Sequence, residues 1–588
     1  MHSLRHRWRL AMPAAAGAAA VATILACTVP AQAALPGSYG VANYTGLTTA
    51  QHANLLSIAR QTWNFYKLDV DQATNLPMDN ITFAGGSATA TSVGRYANPE
   101  DFAMYLWAVT SARDLRLISD GQAANQIRSV LTAVSHLSNF NGLLYAWYDT
   151  TNGEILTNPG QADCAPNVTP STSTNCVFVP GEGNAWWASS LIIVREAFPQ
   201  LADLANKLLK PMNLGLFYDN GPETACNVNP ATPGDQATGQ QFFGYYVGVP
   251  QAQQPTGTNG AFYSDPRILA YIGMGLPAQP GSAPNGTDHQ IPGNDWWKSW
   301  RILPPASPAP GCAATDPDFS WQGGQSRVTG SWQTFTDPQT GQQFQVWEAA
   351  YNYDGIKYDP TWAGGEFEAL MPNLIVPETS WGTRGFGLAD QRTVQLQIQY
   401  ATKQLGYPVW GLSASSSADD TGAYNTYGVE GVGLPGKVAS FPYHGTDPTA
   451  SSPNLLLDQC GPCSTEDVVT PYASFIALDA APQQAYANIQ KLRSLYPGLY
   501  AADGFFDAVN PTTGSVGHRI LDLDDSMIMA ALDNALSNRA LQRDFARDPV
   551  SQVAHTYLEL EHNNALGWLT RRNVPPDRRA DLLGRRSW

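Results

Sequence analysis

Charge is scarce in this chain. Of its 588 residues 14% carry one, so an acid or base set in an apolar stretch needs a structural or chemical reason. Bases are the scarcer kind, 33 against 49 acids, for a net charge of −16 at pH 7. That balance repels nucleic acid and anionic membranes and suits a neutral substrate better than an anionic one. The 9 histidines are scattered, and His289 and His444 lie in loop-like sequence without a close second ligand. Neither a catalytic metal nor a cofactor is therefore expected. HExxH, Walker, GxSxG and strand–helix GxGxxG signatures are missing, which removes the commonest metalloprotease, nucleotide-binding and serine-hydrolase readings. No internal stretch is apolar for long enough to cross a bilayer, so stable membrane insertion is not expected.

The N-terminal run reads as an export signal. Arg5, Arg7 and Arg9 form a basic start, residues 14–26 an apolar segment, and Ala31-Gln32-Ala33 a small-residue cleavage site. A secreted, extracellular protein starting near Ala34 is expected. Lipid anchoring through Cys27 is the weaker alternative, because Leu25 fits poorly before it. Beyond the leader lie Cys164, Cys176, Cys226, Cys312, Cys460 and Cys463, an even set that favours disulfides in an exported chain. Proximity favours Cys164–Cys176 and Cys460–Cys463, elimination then leaves Cys226–Cys312, and other pairings stay open. Cys460-Gly-Pro-Cys463 reads as a loop clip rather than a redox or metal motif, since no second CxxC accompanies it.

Helical periodicity recurs between polar, glycine-rich loops. Asn98-Pro99-Glu100-Asp101 predicts a helix start, with Asn as cap, Pro in the first position and acids in the first turn. Further helices are predicted near 50–66, 121–137, 184–209, 266–274, 390–405, 471–478, 482–496 and 525–537. Thr470-Pro471 and Ser264-Asp265-Pro266 repeat the cap-then-proline signature. The segment Gly142 to Ile155 (GLLYAWYDTTNGEI) echoes Gly504 to Val516 (GFFDAVNPTTGSV), and Gly215 to Asn220 is a shorter echo. Repeats at irregular intervals fit a ring of helical hairpins with similarly decorated loops, a mainly α protein of α/α-toroid type. The expected organisation is a leader over 1–33, one catalytic domain over 34–550, and a C-terminal helix with an Arg- and Pro-rich disordered tail over 551–588. A monomer is expected.

Several acids stand beside aromatics. Glu366 and Glu368 follow Gly364-Gly365 and are flanked by Trp362 and Trp381. Glu348 follows Trp347, Asp265 follows Phe262-Tyr263-Ser264, and Glu182 sits between glycines before Trp186-Trp187. Asp522, Asp524 and Asp525 precede Ser526-Met527. Carboxylates among aromatic rings suit glycoside hydrolysis, where one acid with a raised pKa protonates the leaving oxygen and a second activates water or attacks. Simpler roles compete. Asp265 before Pro266 fits a helix cap, worth about 1 kcal/mol. Asp524 and Asp525 can complement a helix dipole, Glu366 can form a surface ion pair, and the paired tryptophans can be core. Glu368 lies in an apolar run and needs partners if buried.

These blocks resemble the glycoamylase-like family, whose characterised relatives include bacterial endo-β-1,2-glucanases. Gly365-Glu-Phe-Glu-Ala-Leu-Met-Pro372 is similar to that family's Gly-x-Phe-Glu-x-Leu-Met-Pro element. Tyr263-Ser-Asp-Pro-Arg-Ile-Leu-Ala-Tyr271 resembles its Tyr-Asn-Glu helix, where an acid is the expected proton donor. Val469 to Phe475, Tyr500 to Asp507 and Leu521 to Ile528 resemble its later blocks. This sequence departs in the pocket, with Asp265 in place of glutamate, Gly183 in place of an aspartate that Glu182 stands in for, and Asp525-Ser526 in place of Gln-Gly. The resemblance implies an (α/α)6 toroid and a secreted glycoside hydrolase acting on a neutral glucan or related envelope polysaccharide. Asp265 would be the general acid and Glu368 the second carboxylate. Glu366, Glu348, Asp524, Glu182, Trp186, Trp362 and Trp381 would contact the sugar. A polysaccharide lyase and a non-catalytic glycan-binding protein are the competing classes.

Overall fold

The structure is a computed structural model that describes residues 46–87, 89–164, 175–219, 241–247, 262–278, 288–299, 326–361, 364–429 and 467–567. All fall within one unit, Ala42–Trp588. The leader, Trp362, and Cys226, Cys312, Cys460 and Cys463 lie outside the described residues.

Local chemistry sets the helix starts. Helix α1, Thr49–Tyr66, opens on a capping box between Thr48 and Gln51. Helix α2, Pro99–Asp114, starts where the sequence predicts. Asn98 accepts from the N–H groups of Glu100 and Asp101, and Asp101 returns to the Asn98 N–H at 2.8 Å. Helix α3, Asp120–Val134, repeats the box with Ser119 and Gln122. The stretch read as one helix over 184–209 is two, α4 Gly181–Ala197 and α5 Ala202–Leu209, because Pro199 cannot continue the hydrogen-bond ladder. The rest are α6 Arg267–Gly273, α7 Asn294–Lys298, α8 Glu366–Leu370, α9 Glu378–Trp381, α10 Phe386–Gln399, α11 Pro471–Ile476, α12 Pro482–Leu495, α13 Asp522–Leu536, α14 Ala540–Arg547 and α15 Pro549–Leu560.

About half of the described residues are helical, in two kinds of helix. α3 buries a stripe at helical spacing, Ala123, Ala124, Ile127, Val130, Leu131 and Val134, as a helix with one wet side must. In α4, by contrast, every residue from Gly183 to Val194 is buried, so it is packed on all sides. α2 and α13 are buried almost as completely. These inner helices form a packed series: α11 lies on α13, α13 on α2, α2 on α4 and α4 on α6. Each of several inner helices also has a neighbour in sequence beside it, α3 on α2, α5 on α4 and α12 on α11. This is a helical arrangement of toroid type.

The inner neighbours run parallel. Arg113 in the last turn of α2 donates to the carbonyl of Ala197, the last residue of α4, at 2.6 Å. Their first turns also meet, as described below. One end of this helix layer therefore gathers N-termini and the other gathers C-termini.

The two sequence echoes are the same device. Each follows a helix and forms a tight two-stranded hairpin, Asn139–Phe140 with Leu143–Leu144 and Tyr500–Ala501 with Gly504–Phe505. Gly142 and Gly504 adopt φ of 82° and 108°, a region that favours glycine. The sequence gives no warning of the long hairpin formed by strands Ser326–Thr336 and Gln343–Tyr353. Cys164 and Cys176 are bonded as expected, with Cα atoms 5.9 Å apart.

Candidate active site

Five helix starts supply the acids. Glu100 and Asp101 lie in the first turn of α2, Glu182 in that of α4, Asp265 just before α6, Glu366 and Glu368 in α8, and Asp522, Asp524 and Asp525 in α13. Free N–H groups and the dipole at a helix N-terminus favour a negative charge by up to about 2 kcal/mol. Burial of a carboxylate works against that by more, and here burial prevails.

Asp265, Glu182 and Glu100 form the first group. The Asp265 and Glu182 carboxyls lie against each other, close enough that a single proton can serve both. Burial raises the pKa of Asp265, against the opposing hydrogen bond from Glu182 and the charge of Arg267. Burial and then the Asp265 charge hold Glu182 well above the ordinary carboxylate range. Glu100, pushed up to about 8 by burial and then by Asp265, completes the set. Glu100 and Glu182 are half-buried, whereas Asp265 is 6% exposed. A carboxyl that stays protonated at neutral pH and still meets solvent is what a general acid requires.

The second group continues along the same helix ends. Asp522 lies beside Asp69, and burial holds both well above their usual range. The charges of Asp79 and Asp522 act on Asp101, which links this pair back to Glu100. Asp524 lies beside Asp507, with Asp525 close by. Asp507 in turn accepts from the N–H of Ser416 at 2.5 Å. Tyr472 on α11 feels Asp524, Asp507 and Glu366, and its hydroxyl donates to the carbonyl of Ala414 at 2.6 Å. Tyr424, paired in a short strand with Ser416, is within electrostatic reach of Asp524 and Asp507 and is 39% exposed. Among the described residues no group of three or more His, Cys, Asp or Glu has a metal-holding arrangement.

α8 is fixed to α6 by one arginine. Arg267, buried beside Asp265 in sequence, makes a two-pronged ion pair with Glu378 at 2.7 and 2.8 Å. It also donates to the carbonyl oxygens of Glu368 (3.3 Å) and Ala369 (2.6 Å). The proton-holding pair and the Glu366/Glu368 segment are thus held at a fixed offset.

The structure corrects several expectations. Asp265 does not cap α6: its side chain meets Ser264 and Glu182, and no side-chain cap is present on that helix. Glu366 is no surface ion pair. It is fully buried, neither oxygen has a hydrogen-bond partner, and burial alone drives its pKa well up. Glu368 is also buried, at 6% exposed. Trp186 is fully buried, edge-to-face on Trp107 at 5.5 Å, because α4 is enclosed on all sides. Trp381, 6% exposed, stacks on His555 at 4.3 Å. Both rings are engaged in packing rather than presented to solvent. Glu348 stands apart from the acids of the helix ends, 3.6 Å from His562 and accepting from the N–H of Asn564. Asp524 and Glu182 do join the acids. Sequence reasoning missed Glu100, Asp69, Asp507, Tyr472 and Tyr424. A usable signal was present for Glu100, which shares with Glu182 a place in the first turn of an inner helix.

Known proteins share this fold. Residues 332–549 match the family described as Putative glucoamylase, which bears out the resemblance seen in the sequence over that stretch. Residues 57–165 match a second family, a protein of unknown function (DUF3131). The putative glucoamylase from Bacteroides fragilis NCTC 9343 superposes with a TM-score of 0.55 at 14% identity, covering 88% of this chain and 98% of that one. The endo-β-1,2-glucanase from Chitinophaga pinensis, solved with sophorotriose and glucose, gives 0.54 at 13% identity, covering 87% and 98%. Likeness at that identity establishes a shared fold. A stretch of 211 residues is 30% identical to the cyclic β-(1,2)-glucan synthase NdvB of Rhizobium meliloti (strain 1021). It spans 34% of this chain and 6% of that much longer protein.

Proposed function

We propose that the chain is an exported glycoside hydrolase that cleaves a neutral glucan, with β-1,2-linked glucan the first substrate to test. The observation that carries this reading is the proton-sharing Asp265–Glu182 pair, at a layer of helix N-termini with further carboxyls beside it. Asp265 donates to the leaving oxygen the proton it holds jointly with Glu182, that proton leaves with the product, and the pair takes up another from solvent. Glu368 serves as the second carboxylate, held relative to Asp265 through Arg267. The names of the structurally similar glucanases and of the glucan synthase support the choice of linkage, and the acidic composition supports a neutral sugar. The (α/α)6 form of the toroid belongs to the same proposal.

Digestion of a linkage-defined glucan panel tests it. Wild type should release reducing ends from β-1,2-glucan. Asp265→Asn and Glu368→Gln should each lower kcat by about 10²–10⁴-fold with the fold intact. Full activity in either variant removes that residue from its role. An ultraviolet-absorbing unsaturated product would replace hydrolysis by β-elimination, and binding without cleavage across the panel would indicate a glycan-binding protein.

A further inference from the structure

The long hairpin of strands Ser326–Thr336 and Gln343–Tyr353 has an inner and an outer face. Inside, Phe335, Phe344 and Val346 are buried, and Phe335 stacks on Trp297 with ring centres 4.8 Å apart. The outer face follows from the period of two. Trp332 stands in register with Trp347, Thr334 with Gln345 and Thr336 with Gln343, with no bulge between these rungs. Trp332 is 42% exposed, and the two Thr–Gln rungs beside it are exposed as well. From Trp332 to Thr336 the strip is about 14 Å long.

Charge is what this ribbon lacks. From Val328 to Trp347 the sequence holds one ionisable side chain, Asp337, and that one is fully buried. Natural proteins commonly guard an exposed strand with charge, Lys above all, against pairing with other chains. Here an indole, amides and hydroxyls are presented instead. With no cation, the strip does not suit an anionic polymer. A protein partner fits poorly too, because a stable interface buries about 1,200–2,000 Å² around several apolar anchors. Among the side chains described on this face, Trp332 is the one large apolar group. A neutral saccharide fits. An indole packs on the C–H face of a sugar ring, while amides and hydroxyls exchange hydrogen bonds with its hydroxyls.

The strip is held in shape before any ligand arrives. Gln345 donates to Thr334 Oγ1 at 2.7 Å, which orients the amide and leaves its oxygen and the Thr334 hydroxyl proton for a ligand. At the turn, Asp337 accepts from Trp297 Nε1 at 3.0 Å and from the Tyr557 hydroxyl at 2.6 Å, tying the hairpin to α7 and α15. A platform fixed this way loses little conformational freedom on binding.

We propose that the outer face of this hairpin is a second saccharide-binding site, where Trp332, Thr334, Thr336, Gln343 and Gln345 hold a stretch of neutral glucan. The choice of a glucan rests on the hydrolase reading above. Such a site keeps a long chain on the protein and so favours polymer over short oligosaccharides.

The test is affinity electrophoresis of the full chain through gels cast with each neutral glucan of the panel, β-1,2-glucan first. An Asp265→Asn background keeps the polymer intact. Neutral glucan should retard the protein, and Trp332→Ala should weaken the retardation by about fivefold, with Trp332→Phe restoring most of it. In otherwise wild-type protein, Trp332→Ala should lower kcat/KM on polymer more than on a short oligosaccharide. Retardation that survives Trp332→Ala and Gln345→Ala together, or an equal loss on both substrates, would overturn the proposal. Trp332-dependent dimerisation in sedimentation without glucan retardation would also overturn it, giving the face to a second copy of the chain. Trp332-dependent retardation in a protein that cleaves no glucan would instead overturn the hydrolase reading and leave this site in place.

Discussion

At the N-terminal ends of α2, α4 and α13, buried carboxyls face one another; at the C-terminal ends arginines of α2, α4 and α14 meet most of them. Asp69 lies beside Asp522 and Asp265 beside Glu182, and burial raises the pKa of each, as it does that of Asp524 next to Asp507. At the far end Arg113 pairs with Asp114 at 2.7 Å and approaches Asp544 at 3.6 Å, Arg547 pairs with Asp544, and Arg195 grips Asp548 at 2.5 and 2.6 Å. Along α2 the two regimes are separated by the length of a 16-residue helix, roughly 24 Å. The C-terminal end sets an arginine against Asp114, Asp544 and Asp548, although Asp533 there faces Asp114 and is held well above the ordinary range by burial and then by that charge. The N-terminal end offers most of its buried carboxyls no cation and so raises their pKa values, a cost that a scaffold has little reason to bear and an acid catalyst can use.

The sharpest way to break the comparison is at the arginine end. Asp548 is fully buried, receives both prongs of Arg195 and caps α15 through the Val550 N–H. Asp548→Ala strands that arginine and should cost about 3–5 kcal/mol, read as a lowered midpoint in urea unfolding. A cost below about 1 kcal/mol would mean that the pairing there is incidental.

The same operation at the acid end should do the reverse. Asp522→Asn keeps a hydrogen-bonding group beside Asp69 and removes a charge that its neighbours oppose, while the Tyr66 hydroxyl still has the backbone oxygen of residue 522 at 2.8 Å. Stability at pH 8 should stay level or rise by about 1 kcal/mol, with activity reduced. Clear destabilisation would show that the Asp69–Asp522 pair is structural.

The pH dependence follows from the raised pKa values. A carboxyl that ionises at higher pH folded than unfolded binds its proton more tightly in the native state. Its contribution to stability is whole below the unfolded value and is lost as pH rises toward the folded one. For Glu100 that window runs from about 4 to about 8. The melting temperature should therefore fall as pH rises from 5 to 8, and Glu100→Gln should flatten the slope. A melting temperature that rises over that range would contradict the assigned directions.

How much of this was legible depended on whether the signal was local. The Asn98 capping box, the repeated Gly-turn hairpins and the nearby cysteine pair are decided within a few residues, and the sequence displays them. Asp265 and Glu182 stood out as acids beside aromatics, but whether Asp265 caps a helix or meets another acid depends on where α4 lies. Trp186 and Trp381 resembled sugar platforms because their exposure is fixed by neighbours distant in sequence, Trp107 on α2 and His555 on α15. In the long hairpin, buried Phe335 and Phe344 alternate with exposed Thr334, Thr336, Gln343 and Gln345. That period of two was hidden beside a Pro- and Gly-rich stretch.

The smallest effect belongs to the rim of the acid end. Tyr424 leaves 39% of its surface open while its strand partner Ser416 is tied to Asp507, so the ring is held over the acids with one part free. An aromatic face held that way suits a pyranose ring, whose axial C–H groups pack on it for about 1 kcal/mol. Tyr424→Ala should raise KM for a β-1,2-glucan oligosaccharide by about three- to tenfold with little change in kcat, and Tyr424→Phe should stay near wild type because ring and not hydroxyl makes the contact. Should kcat fall instead with KM unchanged, the phenol belongs to the proton-transfer chemistry through Tyr472 and Asp524, and the boundary between rim and acid end lies further out than drawn here.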